Sequence, residues 1–180
     1  ERIEALVDKD CFDEIGILAG NASYNDLGEL ISFTPSNSII GQALINGNPV
    51  IIYGDDFTVR GGASDAAIWE KMIAAEKLAN EYELPLIRLI EGTGGGGSVK
   101  TLEKNGYAYV PSNPGWDYVV DNLSKVPVIA LALGPVAGLG AARLVSSHFS
   151  LMIKGLSQIF VAGPPLVEKI GEIVTKEELG

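Results

Sequence analysis

Four consecutive glycines, Gly94 to Gly97, lie in the stretch EGTGGGGSVKT (91–101), directly after an apolar run. A Walker phosphate loop closes on Gly-Lys-Ser/Thr, whereas here two residues separate Lys100 from Gly97. A dinucleotide turn needs an acidic residue at the end of the next strand, but Asp117 falls in a predicted helix. The residue types therefore disfavour both phosphate sites, while a flexible surface loop stays open as an alternative.

A second glycine turn, GPVAGLGAARL (134–144), also lies between an apolar run and a predicted helix. Turns at the carboxyl ends of two neighbouring parallel strands can aim two backbone amides at one oxygen, which is the geometry of an oxyanion hole. Glycine suits such turns because no side chain blocks close approach of the substrate. The two turns together indicate a site that stabilises an enolate or a tetrahedral oxyanion without a protein nucleophile.

Strands and helices on either side of these turns must position them. Two apolar runs, 39–45 and 50–53, flank Asn46-Gly47-Asn48-Pro49, and Asn-Gly is a strong signal for a hairpin turn. Apolar residues recur at helical spacing over 65–82, and Ser64 is the predicted N-cap of this helix.

The later elements continue the alternation of strand and helix. Buried strands are predicted over 84–90 and 126–133, and the helix between them begins near Asn113 with Pro114 at its first position. The remaining predicted elements are a small-residue helix over 138–146 and strands over 151–153 and 159–161. This order predicts a single-domain α/β fold of layers joined by right-handed crossovers.

The composition limits the kinds of site that the chain can hold. With 47% apolar and 20% charged residues over 180 positions, the chain is predicted to be globular with a core. The formal net charge of −10 argues against a surface for nucleic acids or anionic membranes. One cysteine and one histidine exclude an internal disulfide and a metal site built on several histidines, so no metal is expected. The sequence has no run of about 18 apolar residues, so no membrane span is predicted.

Four blocks of the sequence resemble the carboxyltransferase component, the β subunit, of biotin-dependent acyl-CoA carboxylases. ERIEALVDKDCFDEIG (1–16) resembles the family's opening, and INGNPVIIYGDDFTVRGGASDAA (45–67) resembles its ING-R-P-V…DFTV-x-GGS segment. LIEGTGGGGS (89–98) lies where the family has D-S-GG-A-R. GPVAGLGAA (134–142) and IFVAGPPLVEKIGEIVTKEELG (159–180) resemble its GP-x-AGG-A and F-x-TGP-x-VV…VT-x-EELGG. The blocks span nearly the whole chain in the family's order.

The resemblance implies a crotonase-like fold of stacked ββα units, with the chain as the N-terminal, acyl-CoA-binding half of a carboxyltransferase. Carboxybiotin, carried on a partner protein or domain, would bind a C-terminal half that is expected to lie outside this chain. The start at Glu1 and the charged end also lead us to expect a processed or partial chain. The implied partners are acyl-CoA, the C-terminal half, and the biotin carboxyl carrier and biotin carboxylase components, in a hexamer-like homo- or hetero-oligomer. The implied compartment is the cytoplasm or the mitochondrial matrix.

In the mechanism that the family implies, CO2 moves from carboxybiotin to the α or vinylogous carbon of the acyl-CoA. The released biotin anion takes the acyl proton, and the enolate, held in an oxyanion hole, attacks CO2. By position in the motifs, the backbone amides of that hole are assigned to Gly95, Gly96, Gly138 and Leu139. The CoA-binding residues are assigned to Phe57, Thr58, Val59, Arg60, Gly61, Gly62, Ala63 and Lys100.

Other functions stay open beside this one. Leu139 replaces the second glycine of AGG and Gly97 replaces the arginine of GG-A-R, so a non-catalytic assembly subunit of the same fold is an alternative. Decarboxylation in the reverse direction is another. A crotonase-type hydratase, isomerase or hydrolase would need a carboxylate near the second turn, where the sequence has Ala141, Ala142 and Arg143.

Three further features are assigned structural roles. Cys11 is predicted to be a half-buried packing residue, and His148 is predicted to lie at a helix end or on the surface. Asp55 and Asp56 are adjacent in a predicted strand, so their side chains should point to opposite faces and not share a metal or a proton.

Overall fold

The main sheet has seven strands in a computed structural model that describes residues 1–62, 69–92, 103, 106–107 and 115–180. The strands are β1 (Asp13–Ile15), β2 (Gly20–Tyr24), β3 (Leu30–Pro35), β4 (Ser38–Ile45), β5 (Asn48–Asp55), β6 (Leu86–Gly92), β7 (Val128–Ala137), β8 (Phe149–Met152) and β9 (Gln158–Phe160). The helices are α1 (Arg2–Leu6), α2 (Trp69–Tyr82), α3 (Trp116–Lys125), α4 (Leu139–Val145), α5 (Pro164–Glu168) and α6 (Lys176–Leu179), with a 3₁₀ turn at Arg60–Gly62. The strand order is β1-β4-β5-β6-β7-β8, with β9 also on β7, and β2 and β3 form a separate hairpin.

The predicted hairpin is confirmed as the antiparallel pair β4–β5, in which Ile45 pairs with Asn48. Asn46 and Gly47 form the two-residue turn, and both have the positive φ angles that such a turn needs, 50° and 76°. The Asp8 carboxylate accepts hydrogen bonds from both turn amides, at 2.9 and 2.8 Å. The hairpin fixes the direction of β5, whose end leads into the predicted CoA-binding segment.

The parallel part of the sheet contains the carboxyl ends that the sequence predicts to form the site. The buried strands predicted over 84–90 and 126–133 are confirmed as β6 and β7, which pair in parallel with Leu86 opposite Val128. The last two predicted strands are confirmed as β8 and β9, each beginning one or two residues earlier than expected, and both pair in parallel with β7.

The predicted end of β7 at Leu133 is wrong, since the strand continues through Pro135 to Ala137. Between its two last pairings with β7, β6 advances from residue 90 to 92 while β7 advances from 132 to 136. β7 therefore bulges opposite Glu91, and the interrupted ladder tolerates a proline that has no amide to donate. A Cβ at Gly134 would lie 2.4 Å from Glu91 Oε1, so any larger residue here would have to displace the Glu91 side chain.

Three helices, α2, α3 and α4, pack on one side of the sheet. The helix predicted over 65–82 is confirmed from Trp69 onward, and α4 follows Gly138 and ends at Val145, close to prediction. The predicted N-cap Ser64 and the predicted helix start at Asn113-Pro114 lie outside the described residues.

The side chains of the main sheet divide between two faces, here called the helix face and the cavity face. On the helix face, Tyr53 and Leu86 pack in a buried cluster with side chains of α2. On the cavity face, Ile52 and Ile87 pack with Ile3 of α1. Because α1 has only five residues, it covers less of the cavity face than α2, α3 and α4 cover of the helix face.

The sequence analysis did not predict α1, β1 or the β2–β3 hairpin. All residues of β1 are exposed, as are most of β2 and β3, so these strands show no alternation between buried and exposed positions. Phe33 and Tyr24 remain 46% and 61% exposed on this hairpin. None of the described helices is both long enough and apolar enough to cross a membrane.

Cys11 and His148 have the structural roles predicted for them. Cys11 is half-buried, and its thiol donates to the Asp8 carbonyl at 2.8 Å. His148 Nδ1 accepts a hydrogen bond from the Val128 amide at 3.0 Å, and its Nε2 lies 3.0 Å from the Leu123 carbonyl. The imidazole therefore joins the end of α3 to the start of β7 with both ring nitrogens engaged.

Candidate active site

The carboxyl ends of β5, β6 and β7 lie side by side and bring two predicted segments together. Gly92 at the end of β6 pairs with Val136 of β7. On its other side Gly92 meets the turn after β5, because a Cβ added to Gly92 would lie 3.1 Å from Gly62 Cα. The φ of Gly92, 104°, also lies in the region that favours glycine. Gly62, Gly92 and Val136 therefore form one row of backbone, here called the glycine row.

The predicted CoA-binding segment is a compact turn that Asp56 organises. The Asp56 carboxylate accepts hydrogen bonds from the amide and the hydroxyl of Thr58, at 2.9 and 2.5 Å, as aspartates commonly do in turns. The Val59 carbonyl accepts from the Gly62 amide at 3.2 Å. The backbone that is thereby placed beside the end of β6 comprises Phe57, Thr58, Val59, Arg60, Gly61 and Gly62. Ala63 and Lys100 lie outside the described residues.

The two predicted oxyanion turns leave neighbouring strands at the same level. Gly95 and Gly96 lie outside the described residues, but the turn that holds them directly follows Gly92. The β7 partner of Gly92 is Val136, two residues before Gly138. The described backbone therefore brings the start of each turn to the same end of the sheet.

The two amides of the second turn differ in their hydrogen bonds. The Gly138 amide donates to the Phe160 carbonyl of β9 at 3.2 Å. Leu139 is the first residue of α4, and its amide donates to no other residue in the described part of the chain. This is the usual state of an amide in the first turn of a helix. Of the two amides assigned to the oxyanion hole in this turn, that of Leu139 is therefore the one without a hydrogen bond to the described residues.

A cavity of about 590 Å³ opens on the cavity face beside the end of β6. Phe57 and Thr58 border it, so it adjoins the predicted CoA-binding segment. Its apolar lining includes Ile3, Phe12, Ile39, Leu89 and Leu133. Its charged lining consists of Arg2 and of six acidic residues, Glu1, Glu4, Glu14, Asp55, Asp56 and Glu91. This excess of negative charge favours a neutral or cationic group in the cavity over a phosphate.

Asp55 and Glu91 meet where β5 and β6 separate. The Glu91 amide donates to Asp55 Oδ2 at 3.0 Å, and the Tyr53 hydroxyl donates to Asp55 Oδ1. The Glu91 carboxylate forms an ion pair with Arg2 of α1 at the edge of the cavity. Burial raises the pKa of Asp55 above its usual 3.8, although Arg143 and the Tyr53 hydroxyl lower it in part. Asp55 thus connects the ends of both strands through one carboxylate.

On the helix face three charged side chains, Glu76, Arg88 and Arg143, are buried together, each at most 3% exposed. Glu76 accepts hydrogen bonds from Arg88 Nε and Nη2 at 2.9 and 2.8 Å and from Arg143 Nη2 at 3.2 Å. Arg88 Nη1 also donates to the carbonyls of Arg143 and Ser146, at 3.0 and 2.7 Å, near the end of α4. This charged cluster therefore ties α2, β6 and α4 together.

Arg143 connects the charged cluster to the end of β5. Its guanidinium carbon lies 4.1 Å from the centroid of the Tyr53 ring, within the range of a cation–π contact. Burial raises the pKa of Tyr53, and the Asp55 charge adds to the rise, so the phenol stays a hydrogen-bond donor. Burial also raises the pKa of Glu76, but Arg88 and Arg143 more than offset this, so the pKa lies below its usual 4.5.

Sequence reasoning missed this charged cluster, although two signals pointed to it. Glu76 lies at helical spacing from Met72 and Ala79, on the apolar side of α2, and Arg88 interrupts the apolar run of β6. A charge inside an apolar pattern is expected to be paired, because an unpaired buried charge is costly. Among the residues that the structure describes, no group of three or more His, Cys, Asp or Glu side chains could hold a metal ion.

The family model of the carboxyl transferase domain matches residues 1–180. The chain is 32% identical to the biotin-dependent acetyl-/propionyl-coenzyme A carboxylase beta5 subunit of Mycobacterium tuberculosis, over 100% of the chain and 32% of that relative. It is 29% identical to the mitochondrial propionyl-CoA carboxylase beta chain of Homo sapiens, over 100% of the chain and 33% of that relative. The chain therefore spans about a third of the length of these curated relatives.

Solved structures share the fold of the chain. The crystal structure of transcarboxylase 12S, a hexamer with methylmalonyl-coenzyme A and methylmalonic acid bound, matches with a TM-score of 0.77 at 26% identity, over 99% of this chain and 34% of that one. A single-chain, multi-domain long-chain acyl-CoA carboxylase matches with a TM-score of 0.77 at 22% identity, over 99% of this chain and 18% of that one. The predicted α/β, crotonase-like fold is confirmed.

Proposed function

We propose that this chain, which belongs to the carboxyl transferase domain family, is the acyl-CoA-binding part of a biotin-dependent acyl-CoA carboxyltransferase. The observation that carries the proposal is the glycine row, which sets the two glycine turns on neighbouring strands beside a free Leu139 amide. The proposed reaction places CO2 on the α or vinylogous carbon of the acyl-CoA. The site's task in that reaction is to stabilise the enolate.

The Leu139 amide is the proposed oxyanion donor of the second turn. It would donate to the thioester oxygen as negative charge develops there, and a donor fixed before the reaction needs no reorganisation at that moment. The Gly138 amide can take this role only if its hydrogen bond to Phe160 opens, so Leu139 is favoured. The other donor is assigned to Gly95 or Gly96 in the first turn, as predicted from the sequence.

Carboxybiotin, delivered by a partner, supplies the CO2 and, once CO2 has left, the base that removes the acyl proton. This division of labour agrees with the described side chains near Leu139. Helix α4, which begins at Leu139, contains no Asp or Glu, and His148 lies at the opposite end of β7 with both ring nitrogens engaged in hydrogen bonds. A hydratase or isomerase needs a positioned carboxylate near this turn. The carboxylate of Glu91 lies against Gly134 but is held in an ion pair with Arg2, so this function is less well supported.

The turn Phe57–Gly62 is the proposed wall of the CoA site. Because the adjoining cavity is acidic, we assign to it the neutral pantetheine or acyl portion of the substrate and not the phosphates. The phosphates are assigned to Arg60 and Lys100, the basic residues that the sequence analysis selected, since guanidinium and ammonium groups pair with phosphate.

The proposed partners are the rest of the carboxyltransferase, the biotin carboxyl carrier and the biotin carboxylase, in a hexamer-like assembly. The relatives named as subunits and the transcarboxylase 12S hexamer support this part of the proposal. The proposed compartment is the cytoplasm or the mitochondrial matrix, and the mitochondrial human relative supports the second of these.

Leu139→Pro tests the oxyanion donor, because proline lacks the amide yet is tolerated at the first position of a helix. Leu139→Ala keeps the amide and is the matched control. In the carboxyltransferase that contains this chain, Leu139→Pro is expected to lower kcat for carboxyl transfer to propionyl-CoA by about 10²–10³, the usual cost of one oxyanion donor. Leu139→Ala should stay close to the parent value. Equal rates in the two variants would reject Leu139 as the donor.

Calorimetric titration with acetyl-, propionyl- and methylcrotonyl-CoA tests the function itself. Binding of at least one of them is expected. If none binds, either to the chain alone or together with the rest of the carboxyltransferase, the proposed function is wrong. That result would favour a non-catalytic assembly subunit of the same fold.

A further inference from the structure

The hydrogen-bond ladder of the main sheet is interrupted at Glu91. On one side, the pairing of β5 with β6 ends at Gly54 opposite Leu89. On the other side, β7 bulges over residues 132–136, so no residue of β7 is paired with Glu91. Glu91 therefore has no paired residue on either neighbouring strand, although the next residue, Gly92, is part of the glycine row.

The Asp55 side chain takes the place of the missing strand partner. Its Oδ2 accepts the hydrogen bond of the Glu91 amide at 3.0 Å, and its Oδ1 accepts the Tyr53 hydroxyl. Tyr53 is fully buried and is itself fixed, because Arg143 covers its ring and the Ser38 hydroxyl lies 3.4 Å from its oxygen. The Asp55 carboxylate therefore has a defined orientation, with one partner on each oxygen.

This chain of contacts reaches both glycine turns. Asp55 holds the end of β6, from which the first turn leaves. Arg143 lies on α4, which begins at Leu139 after the second turn. The contacts Arg143–Tyr53–Asp55–Glu91 thus link the two segments that must keep a fixed separation if their amides are to serve one oxygen.

We infer that Asp55 is a positioning residue, whose carboxylate fixes Glu91 and Gly92 at the end of β6 and so keeps the glycine row in place for the acyl-CoA thioester. The inference rests on the proposed function, because it assigns the glycine row a role in binding acyl-CoA. Asp55 also lines the cavity, but both of its carboxylate oxygens are engaged by Glu91 and Tyr53, so the role assigned to it is to position the end of β6 and not to bind the substrate. The carboxylate acts through the Glu91 amide.

The test compares three variants by two measurements. Asp55→Ala removes the acceptor, Asp55→Asn keeps an oxygen for the Glu91 amide and a polar group for Tyr53, and Tyr53→Phe removes only the hydroxyl that orients the carboxylate. Amide hydrogen exchange, followed by NMR, reports on Glu91, and titration with propionyl-CoA reports on the site. Ile40→Val, which trims a buried side chain on β4, is the control for a general loss of stability.

Asp55→Ala is expected to speed exchange of the Glu91 amide at least about tenfold and to raise the Kd for propionyl-CoA by up to about a hundredfold. Tyr53→Phe should cause a smaller change in the same direction, while Asp55→Asn and Ile40→Val should leave the Kd near the parent value. If Asp55→Ala does not fold, the contrast between Tyr53→Phe and Asp55→Asn decides the question.

Several results would overturn the inference. An unchanged Kd for propionyl-CoA in Asp55→Ala would reject the positioning role. If Asp55→Ala does not fold, an unchanged Kd in Tyr53→Phe would reject it. In either case, propionyl-CoA binding by the parent protein would still support the proposed function. A Glu91 amide that stays protected in Asp55→Ala, or an Asp55→Asn variant as weak as Asp55→Ala, would also reject it. If the parent protein itself binds no acyl-CoA, the proposed function fails first, and that failure is visible without any variant.

Discussion

The helix face and the cavity face of the main sheet use charge in different ways. On the helix face, Glu76, Arg88 and Arg143 are buried, and their charges hold three elements together. On the cavity face, Glu91 and Arg2 pair at the edge of an open cavity whose lining is mainly acidic. Buried charges must be paired because desolvation is costly, whereas charges beside a cavity set the potential that a ligand meets. One face therefore holds the structural elements together, and the other is the face that we propose receives the ligand.

Removing one member of the charged cluster should cause the largest loss of stability, because the cluster joins three elements on the helix face. Glu76→Ala leaves Arg88 and Arg143 buried without their shared carboxylate, so we expect a loss of about 3–5 kcal/mol in the free energy of unfolding. Lys77→Ala, one residue further along α2, removes an exposed ion pair with Glu81 and should cost less than about 0.5 kcal/mol. Urea unfolding measures both. Similar losses would show that the buried charges do not hold the fold.

Gly92→Ala should disturb the end of the sheet where the two faces meet. Its φ is 104°, and a Cβ would lie 3.1 Å from Gly62 Cα, so we expect a loss of about 1–3 kcal/mol. Gly28→Ala is the matched control, because Gly28 has a φ of 79° but no atom within 4 Å of the added Cβ. The crowding at Gly92 should also weaken propionyl-CoA binding, which Gly28→Ala should not. Equal affinities in the two variants would contradict the proposed position of the site.

The pH dependence of stability should distinguish the two buried carboxylates. The pKa of Glu76 is lowered, so its contribution is present above about pH 4.5 and is lost as the pH falls. The pKa of Asp55 is raised, so the folded state favours its protonated form. The resulting contribution to stability is complete below about pH 3.8 and is lost as the pH rises. Between about pH 3 and pH 7, the stability of the parent protein relative to Glu76→Gln should therefore rise, while that relative to Asp55→Asn should fall. Urea unfolding across this range tests the two signs, and equal signs would refute the assignment.

Arg2→Ala should have the smallest effect. Arg2 is 55% exposed and its partner Glu91 is 12% exposed, so the ion pair should contribute about 0.2–1 kcal/mol, and this contribution should fade at high salt. Thermal unfolding at low and high ionic strength provides the measurement. Lys176→Ala, which removes an exposed ion pair with Glu177, is the control. A loss of stability that exceeds this range and does not depend on salt would contradict this expectation. It would mean that the Arg2–Glu91 ion pair stabilises α1 as strongly as the charged cluster stabilises the helices on the helix face.

Local patterns were sufficient to predict the elements that frame the site. Asn46-Gly47 specifies the hairpin, apolar runs specify β6 and β7, and glycine before small residues specifies the start of α4. The β2–β3 hairpin was missed because its side chains are exposed and leave no periodic pattern. The extension of β7 was missed because a bulge opposite Glu91, and not the local sequence Gly134-Pro135, decides where the strand ends.

The position of the two glycine turns after neighbouring strands was predictable, whereas the hydrogen bonds around them were not. The sequence motifs located both glycine turns, and the described parts confirm that they leave adjacent strands. Whether Gly138 or Leu139 has the free amide depends on Phe160 in another strand. The charged cluster joins Glu76 to Arg143, 67 positions away, and no local pattern specifies such a contact. Long-range partners therefore decide the features that sequence reasoning left open.

The two-residue turn of the β4–β5 hairpin also has a consequence for how the chain folds. Its strands are neighbours in sequence, whereas the pairing of Leu86 with Val128 must close a loop of about 40 residues, which costs more chain entropy. The hairpin should therefore form first, within about 1–10 μs, and offer β5 as an edge onto which β6 is added. Pulsed hydrogen exchange should detect protection across Ala43 and Val50 before protection across Leu86 and Val128.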